Sequence, residues 1–312
     1  MSPTVDFHHH VLPDFYRRAS EIGGVSVGGV LPARWSPAAA LGFLDDAGID
    51  VAVTSISAPG VHFGDDARAR ELARRSNELA ADMVRDRPDR FAALAVLPLP
   101  DVDGALDELA FALDTLGMDG VVLLSNARGV YLGDDRFEPV FAELQRRRSL
   151  VFVHPTVSPD PSAHMPGVPD TLLDFVTDTS RAITRMHYAG TFARTPDVDY
   201  VISHAGGTIP YLANRFAIVD EMGVVDGIEV RGAAADLFRR LHWDTALSWA
   251  EPVLTTLLKV AGPDRVVYGS DYPYLRRDLA VDSVRRVSAV LDQTVLGATA
   301  LALLPRLQKE MP

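Results

Sequence analysis

The chain has 312 residues, enough for one barrel-sized domain or two ordinary ones. Hydrophobic residues make up 47% and charged residues 23%, the balance of a soluble globular protein, which excludes disorder as the dominant state. Lys and Arg number 30 against 42 Asp and Glu, a formal net charge of −12, and no basic cluster with interleaved aromatics offers a track for phosphates, so nucleic acid is excluded as an expected partner.

The N-terminus, MSPTVDFHHH, lacks the basic region and apolar core of a secretory signal, and no run of about 18 apolar residues follows, so a cytoplasmic protein without a membrane span is expected. The first predicted strand, Val5 to His9, runs into Asp6-Phe7-His8-His9-His10. Side chains two apart on a strand share a face, so His8 and His10 can reach one ion while His9 points away. A tag remnant is the bland alternative for three histidines, but these follow a strand-like Val5-Asp6-Phe7. Leu12 to Pro37, rich in Gly and Pro, reads as a long loop with Arg34 and Trp35 near its end.

Further strands are predicted at Val51 to Ser57, Phe91 to Leu97 and Gly120 to Leu124. Between and after them, Asp65 to Arg85, Ala105 to Leu116 and Phe137 to Arg147 place apolar residues at three- and four-residue intervals among charges, the spacing of outer helices. The fifth strand, Leu150 to His154, is an apolar run ended by Pro155, which puts His154 at a strand terminus. Taken alone, His154 reads more readily as a hydrogen-bonded structural residue. A second long loop, Pro155 to Pro169, contains five prolines.

The sixth strand, Asp199 to Ser203, leads into His204-Ala205-Gly206-Gly207, where the glycines permit close approach of a ligand or backbone. The seventh covers Leu241 to Asp244, and the eighth, Arg265 to Gly269, is followed by Ser270-Asp271-Tyr272-Pro273. Asp271 can bind a metal, take up a proton, or do both in turn. The remaining histidines look structural or peripheral: His187 in a helix, His62 and His164 in loops, and His242 within the seventh strand. Of these, His164 lies on a loop placed to cover a site.

Alternating strands and helices suit either a closed (β/α)8 barrel or an open doubly wound sheet. No G-x-G-x-x-G follows the first strand, and polar residues sit at the ends of strands 1, 5, 6 and 8, which converge if all strand ends share one rim. The expectation is therefore an α/β fold, a (β/α)8 TIM barrel forming one domain over residues 1–312, with long loops after strands 1 and 5. The absence of cysteine leaves nitrogen and oxygen as ligands, which suits Zn, Mn or a similar divalent ion.

The motifs D-x-H-x-H, V-H-P, S-H-A-G-G and G-S-D-Y-P together resemble the amidohydrolase superfamily, over nearly the whole chain. The resemblance is to the branch of aminocarboxymuconate semialdehyde decarboxylase and the salicylate and resorcylate decarboxylases. Within it, Phe43 to Asp50, Ser57 to Gly60 and Ser203 to Leu212 are most similar to the 6-methylsalicylate decarboxylases. The resemblance implies that His8, His10, His154 and Asp271 hold one divalent ion, Zn ahead of Mn. It also implies that His204 acts as an acid/base and orienting neighbour and that Asp271 carries a proton. Arg215, eleven residues after His204, would reach a substrate carboxylate in a neighbouring subunit, which implies a homodimer. His8 stands where some resorcylate-type members have Glu, and strand 4 ends Val121-Val122-Leu123-Leu124-Ser125 without the lysine of the binuclear members, so a single metal is expected.

The expected activity is metal-dependent, non-oxidative decarboxylation of a small aromatic, salicylate-like or unsaturated carboxylic acid. The metal would serve as Lewis acid and template, and Asp271 or a water held by His204 would protonate the carbon bearing the carboxylate. Arg34 and Arg215 are candidates to bind the anionic substrate, against the ordinary reading of arginines as solvated surface charges. Trp35 and Tyr272 either wall a ring or simply pack. The same constellation would support hydrolysis of a lactone, ester or amide, and the non-enzymatic alternative is a metal-stabilised or ligand-binding barrel.

Overall fold

The computed structural model describes residues 3–22, 34–225, 228–229 and 232–310. Eight parallel strands lie side by side in chain order: β1 (Val5–His10), β2 (Val51–Ser55), β3 (Phe91–Val96), β4 (Gly120–Leu124), β5 (Leu150–His154), β6 (Asp199–Ile202), β7 (His242–Asp244) and β8 (Val266–Val267). Their runs of Val, Ile, Leu, Phe and Ala are buried on both faces, as a parallel sheet covered by helices requires.

The sheet closes on itself. Asp6 pairs with Tyr268 and His9 with Tyr272, and the Phe7 and His10 amides donate to the Tyr268 and Tyr272 carbonyls at 2.8 Å each. Closure brings every strand C-terminus to one rim, and with it the residues expected there. Strands 2, 3, 6 and 8 stop one to two residues before the apolar runs end, because at the rim the chain leaves the ladder while remaining buried, and strands 7 and 8 each start one residue later than expected.

Helices cover the outside, at Pro37–Ala47, Asp66–Asp86, Val102–Ala110, Glu138–Arg147, Asp170–Tyr188, Ile209–Met222, Glu251–Ala261 and Arg277–Ser288 among others. Their starts follow capping chemistry: the side chains of Ser36, Asp65 and Asp101 accept from the Ala39, Arg68 and Gly104 amides. The helix expected over Ala105 to Leu116 starts earlier and ends in a π turn, Phe111–Thr115.

The connection after β1 is not all loop. A helix spans Asp14–Ile22 and buries Tyr16 against the core, and residues 23–33 lie outside the described part. The Gly and Pro content of the segment masked the apolar spacing of Phe15, Tyr16 and Ala19. After β5 the chain is irregular apart from a short 3-10 turn, Pro161–Ala163. Among the described residues no helix is long and apolar enough to cross a membrane.

Candidate metal centre

The centre begins at β1. Asp6, fully buried, accepts from the Ser270 amide at 2.9 Å and the Ser270 hydroxyl at 2.6 Å, tying the first strand to the segment that carries Asp271. Alternation along the strand turns His8 and His10 into the barrel and His9 outward, where His9 Nδ1 meets Asp6 at 3.0 Å and its ring stacks on Tyr272. His8 Nε2 lies 2.9 Å from His10 Nε2 and 3.3 Å from Asp271 Oδ1, and His10 Nε2 lies 3.2 Å from the same oxygen. The His154 ring, at the end of β5, stands 5.0 Å from that of His8 and 4.9 Å from that of His10. His204 Nε2 is 3.8 Å from Asp271 Oδ2.

Each inward imidazole is held from behind. His8 Nδ1 donates to Asp244 at 2.6 Å, His154 Nδ1 donates to the Pro155 carbonyl at 2.7 Å, and His10 Nδ1 lies 3.3 Å from the Ser55 hydroxyl. A proton committed to Nδ1 leaves the Nε2 lone pair facing inward, the tautomer a metal ligand needs. Lone pairs of His8 and His10 then face each other at 2.9 Å, an arrangement that repels unless a cation lies between. Metal–donor bonds of about 2.0–2.2 Å place neighbouring donors about 3.0–3.5 Å apart. The observed 2.9–3.3 Å edges fit such an ion. Ligand-capable atoms of His8, His154, His204 and Asp271 lie within 4.8 Å of one another, and this buried group can hold one metal ion.

The electrostatics have the same sense. Burial opposes charge on His8, but Asp244 and Asp271 override it and raise the imidazole to about 10. Burial pushes His10 down to about 4, against its bond to Asp271. Burial and the other histidines hold His154 well below its ordinary value. Burial would raise Asp271, yet its polar contacts with His10, His204 and His8 keep it well below the usual carboxylate range. The carboxylates thus call for one positive charge at the centre, which a proton on His8 supplies and a bound cation would replace.

Two site residues sit in left-handed backbone conformations unusual for side chains larger than glycine: His204 at φ 52° and Asp271 at φ 58°. Both are pinned by buried hydrogen bonds, His204 N to Asp244 Oδ1 at 2.7 Å and Asp271 N to the His8 carbonyl at 2.9 Å. Asp244 therefore orients His8 with one oxygen and His204 with the other. Asp244 is not among the residues expected from the sequence, although it ends a strand just as His154 does. Gly206 is required by packing: at φ 75°, any Cβ there would enter the Trp243 ring. The close approach expected of that glycine is to the protein itself.

A family model described as amidohydrolase matches residues 5–306, a span that includes every residue of the centre. The chain belongs to the amidohydrolase family. A 6-methylsalicylic acid decarboxylase of Aspergillus aculeatus is 33% identical over 98% of this chain and 97% of its own length. The crystal structure of an amidohydrolase II superposes with a TM-score of 0.90 at 28% identity, covering 97% of this chain and 99% of the other. A dihydroxybenzoic acid decarboxylase from Polaromonas sp., solved with bound manganese and an inhibitor, shares the fold at a TM-score of 0.79 and 22% identity, covering 97% of each chain.

Above the centre of this amidohydrolase lies a cavity of about 430 Å³, with His154, His204 and Asp271 on its floor and Phe175, Leu247, Ser57 and Tyr274 among its walls. No Lys or Arg lines it among the described residues. The side chains expected to bind substrate fall elsewhere in this protomer. Tyr272 is buried and stacks between Phe43 and His9, at ring distances of 4.4 and 4.7 Å, because its pairing with His9 places it on the outer face of the barrel. Arg215 is exposed on the helix Ile209–Met222, Arg34 is exposed, and Trp35 is half-buried against the core.

The walls come instead from Phe175 and Tyr274, which the sequence reading missed. The Tyr274 hydroxyl is buried without a well-formed hydrogen bond, with Ser57 as its polar neighbour. Its signal was the second tyrosine of Tyr272-Pro273-Tyr274, but which of the two faces inward depends on how the barrel closes. The other histidines have local partners outside the centre: His62 with Asp66 at 2.7 Å, His164 with Asp170 at 2.9 Å, and His242 with Arg265 at 3.2 Å. His187 is buried in the helix Asp170–Tyr188.

Proposed function

We propose that this chain is a metal-dependent carboxy-lyase that decarboxylates a small aromatic acid of the salicylate type. The observation that carries the reading is the set of inward Nε2 atoms converging with Asp271 on one point beneath a cavity of single-ring size. His8, His10, His154 and Asp271 are the proposed ligands of one divalent ion. Zn is the first choice for a site rich in imidazole, with Mn the alternative. Such an ion supplies Lewis acidity and a template for a carboxylate and an adjacent phenolic oxygen.

The protein's own groups do the rest. Asp271 presents Oδ1 to His8 and His10 and Oδ2 to His204, so one carboxylate spans the metal side and the proton side of the centre. Asp271 relays a proton received from His204 to the ring carbon bearing the carboxylate, which makes that carbon tetrahedral. The C–C bond then breaks, its electron pair restores the aromatic ring, and CO2 leaves. His204 then takes its next proton from solvent. Phe175 and Leu247 supply apolar wall for the ring and any alkyl substituent, and the Tyr274 hydroxyl offers a hydrogen bond to a polar one.

With no Lys or Arg lining the cavity among the described residues, we place Arg215 of a second copy over the substrate carboxylate, in a homodimer. In support, the helix that carries Arg215 also exposes Tyr211, Ile218 and Met222, and Leu172, Leu173 and Leu247 are exposed near the cavity mouth. The proposal is tested by loading purified protein with Zn or Mn and following CO2 release from 2-hydroxybenzoic acids with and without a 6-methyl group. A parallel panel of lactones and esters is followed by acid release. Metal-dependent CO2 release from the hydroxybenzoates is expected; turnover of the lactones alone would make the protein a hydrolase.

A further inference from the structure

The three inward histidines are not tethered alike. His8 is held by a side chain, Asp244, and His10 faces a side chain, Ser55, whereas His154 is held by a main-chain carbonyl, that of Pro155, at 2.7 Å. The orientation of His154 is therefore only as fixed as the backbone that follows β5, and that backbone belongs to the long irregular connection. What holds it lies one helix away.

Asp178, on the helix Asp170–Tyr188, is 1% exposed, and its carboxylate is a buried hub. One oxygen accepts from the Ser125 hydroxyl and, at 2.9 Å, from the Asn126 amide; the other accepts from the Tyr131 hydroxyl. Ser125 and Asn126 pass the constraint on. The Thr156 amide donates to Ser125 Oγ at 3.0 Å, and Asn126 Nδ2 also reaches the Val157 carbonyl at 3.2 Å. The Ser125 amide bonds the His154 carbonyl at 2.8 Å. The main chain is thus gripped at residues 154, 156 and 157, on both sides of the Pro155 carbonyl that orients the imidazole.

The same helix contributes Phe175 to the cavity wall, and its Ser180 hydroxyl accepts from the Thr208 amide at 2.9 Å, just beyond His204. It therefore holds the chain beyond two of the rim histidines. A buried carboxylate receiving three donors is a costly feature to keep in a protein interior, and fully satisfied networks of this kind rigidify what they touch.

We infer that Asp178 is a positioning residue for His154, acting through Ser125 and Asn126 on the Thr156–Val157 backbone so that the Pro155 carbonyl keeps His154 Nε2 aimed at the centre. The inference rests on the reading of His154 as a metal ligand. Partners that orient metal-bound histidines are worth about 10–100-fold in metal affinity, and that is the effect expected here.

The test measures Zn affinity by chelator competition on the full chain, with folding checked by circular dichroism and thermal unfolding. Ser125→Ala cuts the path to Thr156 while leaving the Asn126 and Tyr131 bonds to Asp178, and it should weaken Zn binding about 10–100-fold. Asp178→Ala should do the same or more. Asp178→Asn retains an acceptor for Ser125 and Asn126 and should recover most of the affinity lost in Asp178→Ala. Tyr131→Phe removes a bond that leads away from His154 and should lower the unfolding temperature without changing Zn affinity. Folded Ser125→Ala protein with unchanged Zn affinity, or Tyr131→Phe weakening Zn as much as Ser125→Ala, overturns the inference. A His154→Asn control separates the two layers: if it binds Zn like the parent, the ligand assignment itself has failed, whereas loss of Zn there with an intact Ser125→Ala site refutes only the role of Asp178.

Discussion

The floor and the walls of the cavity are built on different principles. The floor is made of strand ends: His8 and His10 on β1, His154 on β5 and Asp271 beyond β8, with Asp244 on β7 and Ser55 on β2 behind them. The barrel's hydrogen bonds fix these positions. The walls come from the helix Asp170–Tyr188 and from the segments around Leu247 and Tyr274, outside the strand ladder, and the Phe175 and Leu247 side chains that face the cavity are apolar. Changes to the floor should therefore be felt as loss of metal or of turnover, and changes to the walls as altered preference among substrates.

The largest break is expected at Asp271. Asp271→Asn keeps an oxygen for the metal but removes the proton-carrying carboxylate, so kcat should fall about 10²–10⁴-fold, the usual contribution of a positioned acid or base. Zn content measured alongside should stay near one per chain; unchanged turnover would remove Asp271 from the proton path. Asp244 comes next. It touches no substrate, yet Asp244→Ala frees His8 Nδ1 and the His204 amide together, and should cost about 10–100-fold in metal affinity. Asp244→Asn should cost less than Asp244→Ala in chelator competition, because one acceptor survives.

The division between floor and walls was also the limit of what the sequence makes legible. A histidine that ends an apolar run is visible as a rim residue in one dimension, which is why His8, His10, His154, His204 and Asp271 converge as their strand-end positions imply. His9 was assigned outward by alternation alone, and the structure places it there. Tyr272 and Tyr274 could not be told apart, because the side each ring takes depends on the β1–β8 closure, a pairing between the two ends of the chain. Phe175 sits among ordinary helix positions and has no local mark. Asp244 ends a strand as His154 does and is legible in principle, but a single carboxylate after tryptophan carries no local mark of a site. The helix Asp14–Ile22 was hidden by the glycines and prolines that follow it.

Strand β7 allows the rim to be compared with the opposite end of the same element. Asp244 serves the centre, while His242, two residues earlier, is 5% exposed and accepts from Arg265 at 3.2 Å. Burial, reinforced by the Arg265 charge, depresses its imidazole to about 4. In the unfolded chain His242 takes up a proton below about pH 6.5, whereas the folded protein resists until about pH 4. His242 should therefore cost no stability above pH 6.5 and progressively more as the pH falls to 4, by at most about 3 kcal/mol. Urea unfolding of metal-free protein at pH 7 and pH 4.5 checks this. His242→Gln should lose less stability between the two than the parent, and an identical loss would mean that His242 does not titrate in this range.

The smallest effects belong to the walls, and there their direction matters more than their size. Tyr274→Phe removes a buried hydroxyl without a good partner, which in the free enzyme should cost little stability. If that hydroxyl is reserved for a polar group on the substrate, KM should rise by roughly the 1 kcal/mol of a hydrogen bond, about fivefold, with kcat nearly unchanged. Phe175→Ala enlarges the apolar wall and should favour acids with bulkier alkyl substituents by about tenfold, the scale set by one or two methylenes in a pocket. Metal affinity should stay at the parent value in both variants. A wall substitution that lost the metal would show that Tyr274 or Phe175 also braces the floor, and the separation of the two regions would then fail at that residue.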